Sequence, residues 1–236
     1  LSGSDVAPAQ LKALGWYLLA RLLGLTFALK LAERDERAGA EAYARFENVV
    51  PGAARLGAEE DAHERTLLGM IEEERLAYVG SIVLGLNDAL VELTGTLAGL
   101  TFALQVGSLV AVSGIITGIA AAFSMAASDY LSSRAEGSDR ASKSALYTGV
   151  AYLATVLLLV LPYLVLPQEG SWIFVSLGIT LAIAVAIIFS FSFYLSVAKD
   201  LPFASRFLEM LGISLGVATF SFLVGLVVRQ LFGIDV

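Results

Sequence analysis

Apolar and polar residues are distributed very unevenly along this 236-residue chain. After about residue 76, long apolar stretches alternate with short polar or proline-containing connections. A helix that crosses the hydrocarbon layer of a membrane needs about 20 predominantly apolar residues. The pattern therefore predicts five membrane spans, at residues 79–104, 108–130, 145–166, 172–197 and 207–231.

The region before Leu76 is different, because it holds thirteen of the 22 acidic residues and nine of the 15 basic ones. Ala, Leu, Glu and Arg dominate residues 9–48, which predicts helical structure there, either as one continuous helix or as more than one. A Pro-Gly pair then breaks the chain, and a second helix from about Ala53 leads into the first span. We expect an all-α protein with a cytoplasmic, ferritin-like helical domain in residues 1–76 and a transmembrane transporter domain in residues 77–236.

The composition excludes several classes of protein, partner and metal site. The chain is 57% hydrophobic and only 16% charged, which is too apolar for an ordinary soluble domain, so membrane lipid is an expected partner. A net charge of -7 argues against binding to nucleic acid. The absence of cysteine excludes disulfides and thiolate metal sites, and the single histidine restricts imidazole chemistry to one position.

The basic residues predict the orientation of the chain in the membrane. The connection between the second and third spans carries Arg134, Arg140 and Lys143, and the one between the fourth and fifth carries Lys199 and Arg206. The two remaining connections carry no basic residue. Because Lys and Arg concentrate on the cytoplasmic side, we expect the N-terminus in the cytoplasm and the C-terminus outside. The short loops and the fused N-terminal domain favour a prokaryotic plasma membrane.

Two carboxylates interrupt the first span. Asp88 and Glu92 are the only charged side chains between Leu76 and Ser128. A carboxylate at bilayer depth costs at least ~2.5 kcal/mol, so it usually faces a partner, water or an ion. Four residues apart, the two project from one helix face. Such oxygen ligands suit a divalent cation or a proton relay. For Glu92, a hydrogen-bonded structural role is an equally good interpretation.

The N-terminal region contains a second candidate metal site. Glu60 and His63 form a Glu-x-x-His pair, and Glu36 on the preceding helix could add a carboxylate. A ferritin-like di-iron centre takes a Glu from each of two helices and a Glu-x-x-His from each of two others. This chain offers one of each, so the site would need a homodimer. For His63 alone, an exposed histidine on a charged helix is the simpler interpretation.

Glycines spaced four apart recur in the spans, which permits close approach of helices in lipid. Packing within the chain is a simpler interpretation of each pair than a dimer seam. The pairs are Gly95/Gly99, Gly114/Gly118 and Gly212/Gly216.

Two segments resemble a known family. Residues 85–92, Gly-Leu-Asn-Asp-Ala-Leu-Val-Glu, look like the first-span signature of the vacuolar iron transporter family. Residues 123–132, Phe-Ser-Met-Ala-Ala-Ser-Asp-Tyr-Leu-Ser, are similar to that family's second-span ending. With the five-span layout, the resemblance covers about residues 76–232. Residues 32–75 resemble a half-length ferritin or rubrerythrin-like domain of the kind fused to such transporters in some prokaryotes.

The resemblance implies a homodimer that exports Fe2+, and often Mn2+, in exchange for protons. Asp88 matches the first-span carboxylate that binds metal. Independently of the resemblance, the neighbouring Asn87 could add a neutral oxygen ligand. Met125 matches the second-span methionine, whose thioether favours a transition metal. Asp129 stands where the family commonly has Glu. Glu92 and Asp88 are our candidates for proton coupling.

Three hypotheses follow from the sequence. The leading one is a proton-coupled exporter of divalent iron and manganese. The alternative is a membrane-anchored di-iron ferroxidase or peroxidase, or an iron buffer, formed by Glu36, Glu60 and His63 of two chains. A membrane scaffold without transport is the third, and it leaves the buried position of Asp88 and Glu92 without a purpose.

Overall fold

The computed structural model of the chain describes residues 10–31, 78–167, 170–199 and 201–232. Every regular element in these ranges is helical, as the pattern predicted. The helices are α1 (Gln10–Leu23), α2 (Val79–Leu104), α3 (Gly107–Ala135), α4 (Ala141–Val165), α5 (Trp172–Ala198) and α6 (Phe203–Phe232). Helices α2 to α6 are long and apolar enough to cross a membrane, so the described part of the chain confirms the five spans.

Several membrane helices extend beyond the apolar runs that predicted them. Helix α3 continues to Ala135, five residues past the predicted span, and α4 begins at Ala141, four residues before it. Hydropathy marks only the part of a helix that suits hydrocarbon, whereas its backbone hydrogen bonds continue into the polar layer. The predicted spans 79–104 and 108–130 leave room only for a tight turn between them, and the structure has one. Only Gln105 and Val106 join α2 to α3, and Gln105 adopts a left-handed φ of 51°.

Helix α2 occupies the centre of the packed helices and contacts α3, α4 and α6. Its residues Leu90, Leu93 and Leu97 are fully buried. Helices α3 and α4 pack as an antiparallel pair, because Gly149 lies against Ala126 near one end while Gly118 lies against Val156 farther along.

Helices α2 and α4 run parallel, as the first and third spans of one chain must. Near their starts, the rings of Tyr78 and Tyr147 stack with centroids 4.8 Å apart. Near their ends, the hydroxyls of Thr101 and Tyr163 lie 2.7 Å apart and are hydrogen-bonded. The two helices therefore contact each other from near their starts to near their ends.

Glycines allow α2 and α6 to approach each other closely. A Cβ atom added to Gly225 would collide with the carbonyl oxygen of Gly99. Of the three spaced glycine pairs, those in the first two spans pack within the chain. A Cβ added to either glycine of the third pair, Gly212 or Gly216, would meet nothing within 4 Å in the described part of the chain.

Pro162 lies inside α4, where it cannot donate a backbone hydrogen bond. Hydroxyls from α5 approach carbonyl groups at this point. Thr180 donates to the carbonyl oxygen of Leu159 at 2.9 Å, and Ser176 lies 3.4 Å from that of Pro162. These bonds connect α5 to α4 beside the proline.

The described residues form two compact units. One holds residues 78–167, 170–193 and 202–232, and the other combines residues 10–31 with residues 194–199 and 201. In the latter, Phe27 stacks on Tyr194 with centroids 5.1 Å apart and is buried with Val197. Gly24, with a φ of 102°, separates α1 from helical residues 25–31. The predicted N-terminal helical structure is therefore interrupted at Gly24.

Candidate metal site and its polar surroundings

Asp88 lies on an uncovered face of α2. Its side chain is exposed in the single chain, while the next two residues, Ala89 and Leu90, are fully buried. Leu84 and Gly80, one and two helical turns before it, are exposed as well. We call Gly80, Leu84 and Asp88 the open strip of α2. A carboxylate that faces hydrocarbon is costly, so this strip needs protein, water or a cation beside it.

Glu92 lies one turn beyond Asp88, and its side chain is directed to α4. The phenolic hydroxyl of Tyr152 donates a hydrogen bond to Oε2 of Glu92 at 2.6 Å. Tyr152 is fully buried, and Glu92 is half-buried. The two carboxylates of α2 thus differ in their surroundings, although the sequence spacing alone gives them one helix face.

Asp129, near the end of α3, accepts hydrogen bonds from two hydroxyls of α4. Ser144 donates to Oδ2 at 2.8 Å and Thr148 donates to the same oxygen at 2.7 Å. Ser81 of α2 completes the group, with its hydroxyl 2.7 Å from that of Ser144. Since the one proton of Ser144 goes to Asp129, Ser81 donates to Ser144. We call Ser81, Asp129, Ser144 and Thr148 the hydroxyl cluster, and it joins three helices.

The hydroxyl cluster and the two carboxylates of α2 lie at different heights. Ser81 precedes Asp88 by seven residues, which corresponds to about 10 Å along a helix axis, and Glu92 lies about 6 Å farther on. Among the described residues, no three acidic, His or Cys side chains come together as a group that could hold a metal ion. One chain therefore brings Asp88 and Glu92 near each other but keeps Asp129 at the end where α2 begins.

The remaining sequence-predicted residues have these positions. Asn87, next to Asp88, is half-buried. Met125 is partly buried and packs against the hydrophobic core. Glu36, Glu60 and His63 lie outside the described residues, so the N-terminal site stays a prediction.

Sequence reasoning did not identify the neutral partners of the carboxylates. Tyr152, Ser144, Thr148 and Ser81 contact Glu92 or the hydroxyl cluster through hydroxyl groups. Their signal in the sequence is a hydroxyl residue inside an otherwise apolar span. Such residues commonly hydrogen-bond across helices in membranes. That signal cannot name the partner, because the partner depends on helix rotation and register.

Residues 79–142 match the model of the VIT family. This segment contains α2, α3 and the first two residues of α4, and with them Asn87, Asp88, Glu92, Met125 and Asp129. No curated protein and no solved structure matches the chain. The family match and the five apolar helices together support a multi-pass membrane protein, and the family indicates transport of iron or manganese ions.

Proposed function

We propose that this chain exports Fe2+, and also Mn2+, from the cytosol in exchange for protons, and that it does so as a homodimer. The observation that carries the proposal is the position of Asp88. It is an exposed carboxylate in an apolar helix, inside the segment that matches the VIT family. A bound divalent cation would compensate the negative charge of Asp88, which lipid cannot stabilise.

The open strip of α2 supports the homodimer. A cation bound at Asp88 would have too few anionic ligands in one chain. Among the described residues, no three acidic, His or Cys side chains form a group that could hold it. A second copy related by a two-fold axis would bring a second Asp88 towards the first. Asn87 and Met125 of each chain would then supply an amide oxygen and a thioether, a donor set that suits Fe2+ or Mn2+.

Proton coupling follows from the chemistry of the carboxylates. A carboxylate has to be deprotonated to bind a metal ion, so binding releases any proton that it holds. Asp88 would exchange a proton for the metal, and Glu92 would carry a second proton within the protomer. Transport would then require a proton gradient opposite in direction to the metal flux.

The orientation rests on the basic residues near the membrane surface. Arg134, Arg140 and Lys143 lie at the end of the bundle where α2 begins. By the distribution of positive charge, this end faces the cytoplasm of a prokaryotic cell and the C-terminus is outside. Metal would therefore enter past the hydroxyl cluster and leave at the opposite end.

The N-terminal region would bind metal ahead of transport. Glu36, Glu60 and His63 of two chains provide the ligand set of a di-iron centre. The alternative to an exporter is a membrane-anchored ferroxidase, peroxidase or iron buffer that uses this N-terminal site. Iron-dependent consumption of peroxide that disappears in His63→Ala would support the enzyme, whereas iron binding without turnover would support a metal-delivery role.

The decisive experiment is metal flux into proteoliposomes, with and without a pH gradient. We expect Fe2+ and Mn2+ flux in the wild type that needs the gradient and falls to background in Asp88→Ala. Glu209→Ala is the matched control, because Glu209 is an exposed acid on α6 that pairs with Arg206 at 3.3 Å. Flux that persists in Asp88→Ala would reject the site, and absence of flux in the folded wild type would reject the exporter.

A further inference from the structure

Tyr152 has an unusual position for a polar side chain. It is fully buried between membrane helices, and its hydroxyl donates to Glu92 at 2.6 Å. At this distance the contact is a short O–H···O hydrogen bond. The contact fixes the direction of the Glu92 side chain, because the rigid ring of Tyr152 projects from α4 and is packed in the hydrophobic core.

Without the contact to Tyr152, Glu92 could bind a cation together with Asp88. Residues four apart on a helix are neighbours, with Cβ atoms about 5–6 Å apart. Two such carboxylates can bind the same divalent cation. In this structure, Glu92 is bonded to α4 and half-buried, while Asp88 is exposed on the open strip of α2.

We propose that Tyr152 is a positioning residue that holds Glu92 away from the transported metal ion, so that α2 presents the ion with Asp88 alone. This inference rests on the proposed export function. A transported ion has to bind well enough to enter and weakly enough to leave. A second carboxylate from the same helix would hold the ion more tightly and slow its release.

The test compares Tyr152→Phe with the wild type, using Mn2+ as the probe and the full chain in lipid nanodiscs and proteoliposomes. Phe keeps the ring and removes only the hydroxyl that restrains Glu92. Groups that orient metal ligands commonly change metal affinity by about 10–100-fold. We expect the Kd for Mn2+ to fall by about tenfold, and both KM and the maximal flux to fall with it. A variant that was merely less stable would bind Mn2+ more weakly.

Tyr163→Phe is the matched control. Tyr163 lies on the same helix, is equally buried and shares its hydroxyl with Thr101 at 2.7 Å, away from both carboxylates. We expect its Kd and flux to stay within about twofold of the wild type. Glu92→Gln should weaken Mn2+ binding more in the Tyr152→Phe background than in the wild type, because only the freed carboxylate contacts the ion.

Infrared difference spectroscopy of the wild type keeps the inference testable if Tyr152→Phe does not fold, with Glu92→Gln used only to assign the carboxylate band of Glu92. Addition of Mn2+ should leave this band unshifted, since Tyr152 holds Glu92 away from the ion. A shift of the band to that of a metal-bound carboxylate, or a Tyr152→Phe protein that folds without tighter binding, would overturn the inference. Both results leave Asp88-dependent flux of the wild type intact, so they are distinguishable from failure of the exporter.

Discussion

The backbone of Thr148 lies directly against Gly85, so that a Cβ atom added to Gly85 would collide with the carbonyl oxygen of Thr148. This contact fixes the distance between α2 and α4. It lies one turn from Ser81 of the hydroxyl cluster and less than one turn from Asp88. The packing of the two helices therefore determines how α2 presents its carboxylates.

We expect Gly85→Ala to destabilise the protein, because the added methyl group would force α2 and α4 apart. Overpacking of this kind costs about 1–3 kcal/mol. Thermal unfolding of the detergent-purified chain would show a lowered midpoint. Gly80→Ala is the control on the same helix, since a Cβ there would meet nothing within 4 Å. Equal midpoints for the two variants would contradict the close contact.

The crossing of α2 and α6 predicts a similar contrast. Gly225→Ala should lower thermal stability, because its methyl group would meet the carbonyl oxygen of Gly99. Gly216→Ala should leave stability unchanged or raise it by up to about 1 kcal/mol, since Ala is the better helix former and Gly216 has open space around it. If Gly216→Ala were the more damaging change, Gly216 would have to pack against a second chain.

The hydroxyl cluster predicts coupled effects on stability. Asp129→Asn places an amide among hydroxyls that donate to it, which we expect to cost about 1–3 kcal/mol. Thr148→Val should cost about 1 kcal/mol. The double variant should cost less than the sum, with a coupling of at least about 0.5 kcal/mol.

Ser190→Ala is the control for the cluster, because Ser190 is exposed and its hydroxyl bonds only within its own helix, to the carbonyl oxygen of Ala186 at 2.8 Å. Denaturation of each variant in mixed micelles measures these differences. Strict additivity between positions 129 and 148 would show that the two side chains act independently.

Met125→Leu separates packing from metal selection. Met125 is partly buried against the core, and Leu has a similar volume, so we expect a loss below about 1.5 kcal/mol. If its thioether binds the transported ion, the variant should prefer Fe2+ over Mg2+ less strongly in competition flux assays. Met210→Leu is the control, as Met210 packs against the same core from α6. Unchanged selectivity in Met125→Leu would limit Met125 to packing.

The sequence alone determined the number of spans and the tight turn between the first two. Hydrocarbon requires each spanning backbone to satisfy its own hydrogen bonds, so an apolar run of sufficient length has to become a helix. The sequence also predicted how far apart Asp88 and Glu92 lie, because helix geometry fixes the separation of residues four apart. The sequence predicted the end of α3 and the start of α4 less accurately, since hydropathy does not detect the part of a helix that continues into water.

Only the tertiary structure decided where each carboxylate faces. Glu92 contacts Tyr152, Asp129 contacts Ser144 and Thr148, and Asp88 lies on the open strip of α2. A helix that is apolar all round gives no periodic signal for its rotation in the bundle. Rotation and register depend instead on which backbones can approach closely, and this is set by pairs of positions distant in sequence, such as Gly85 with Thr148.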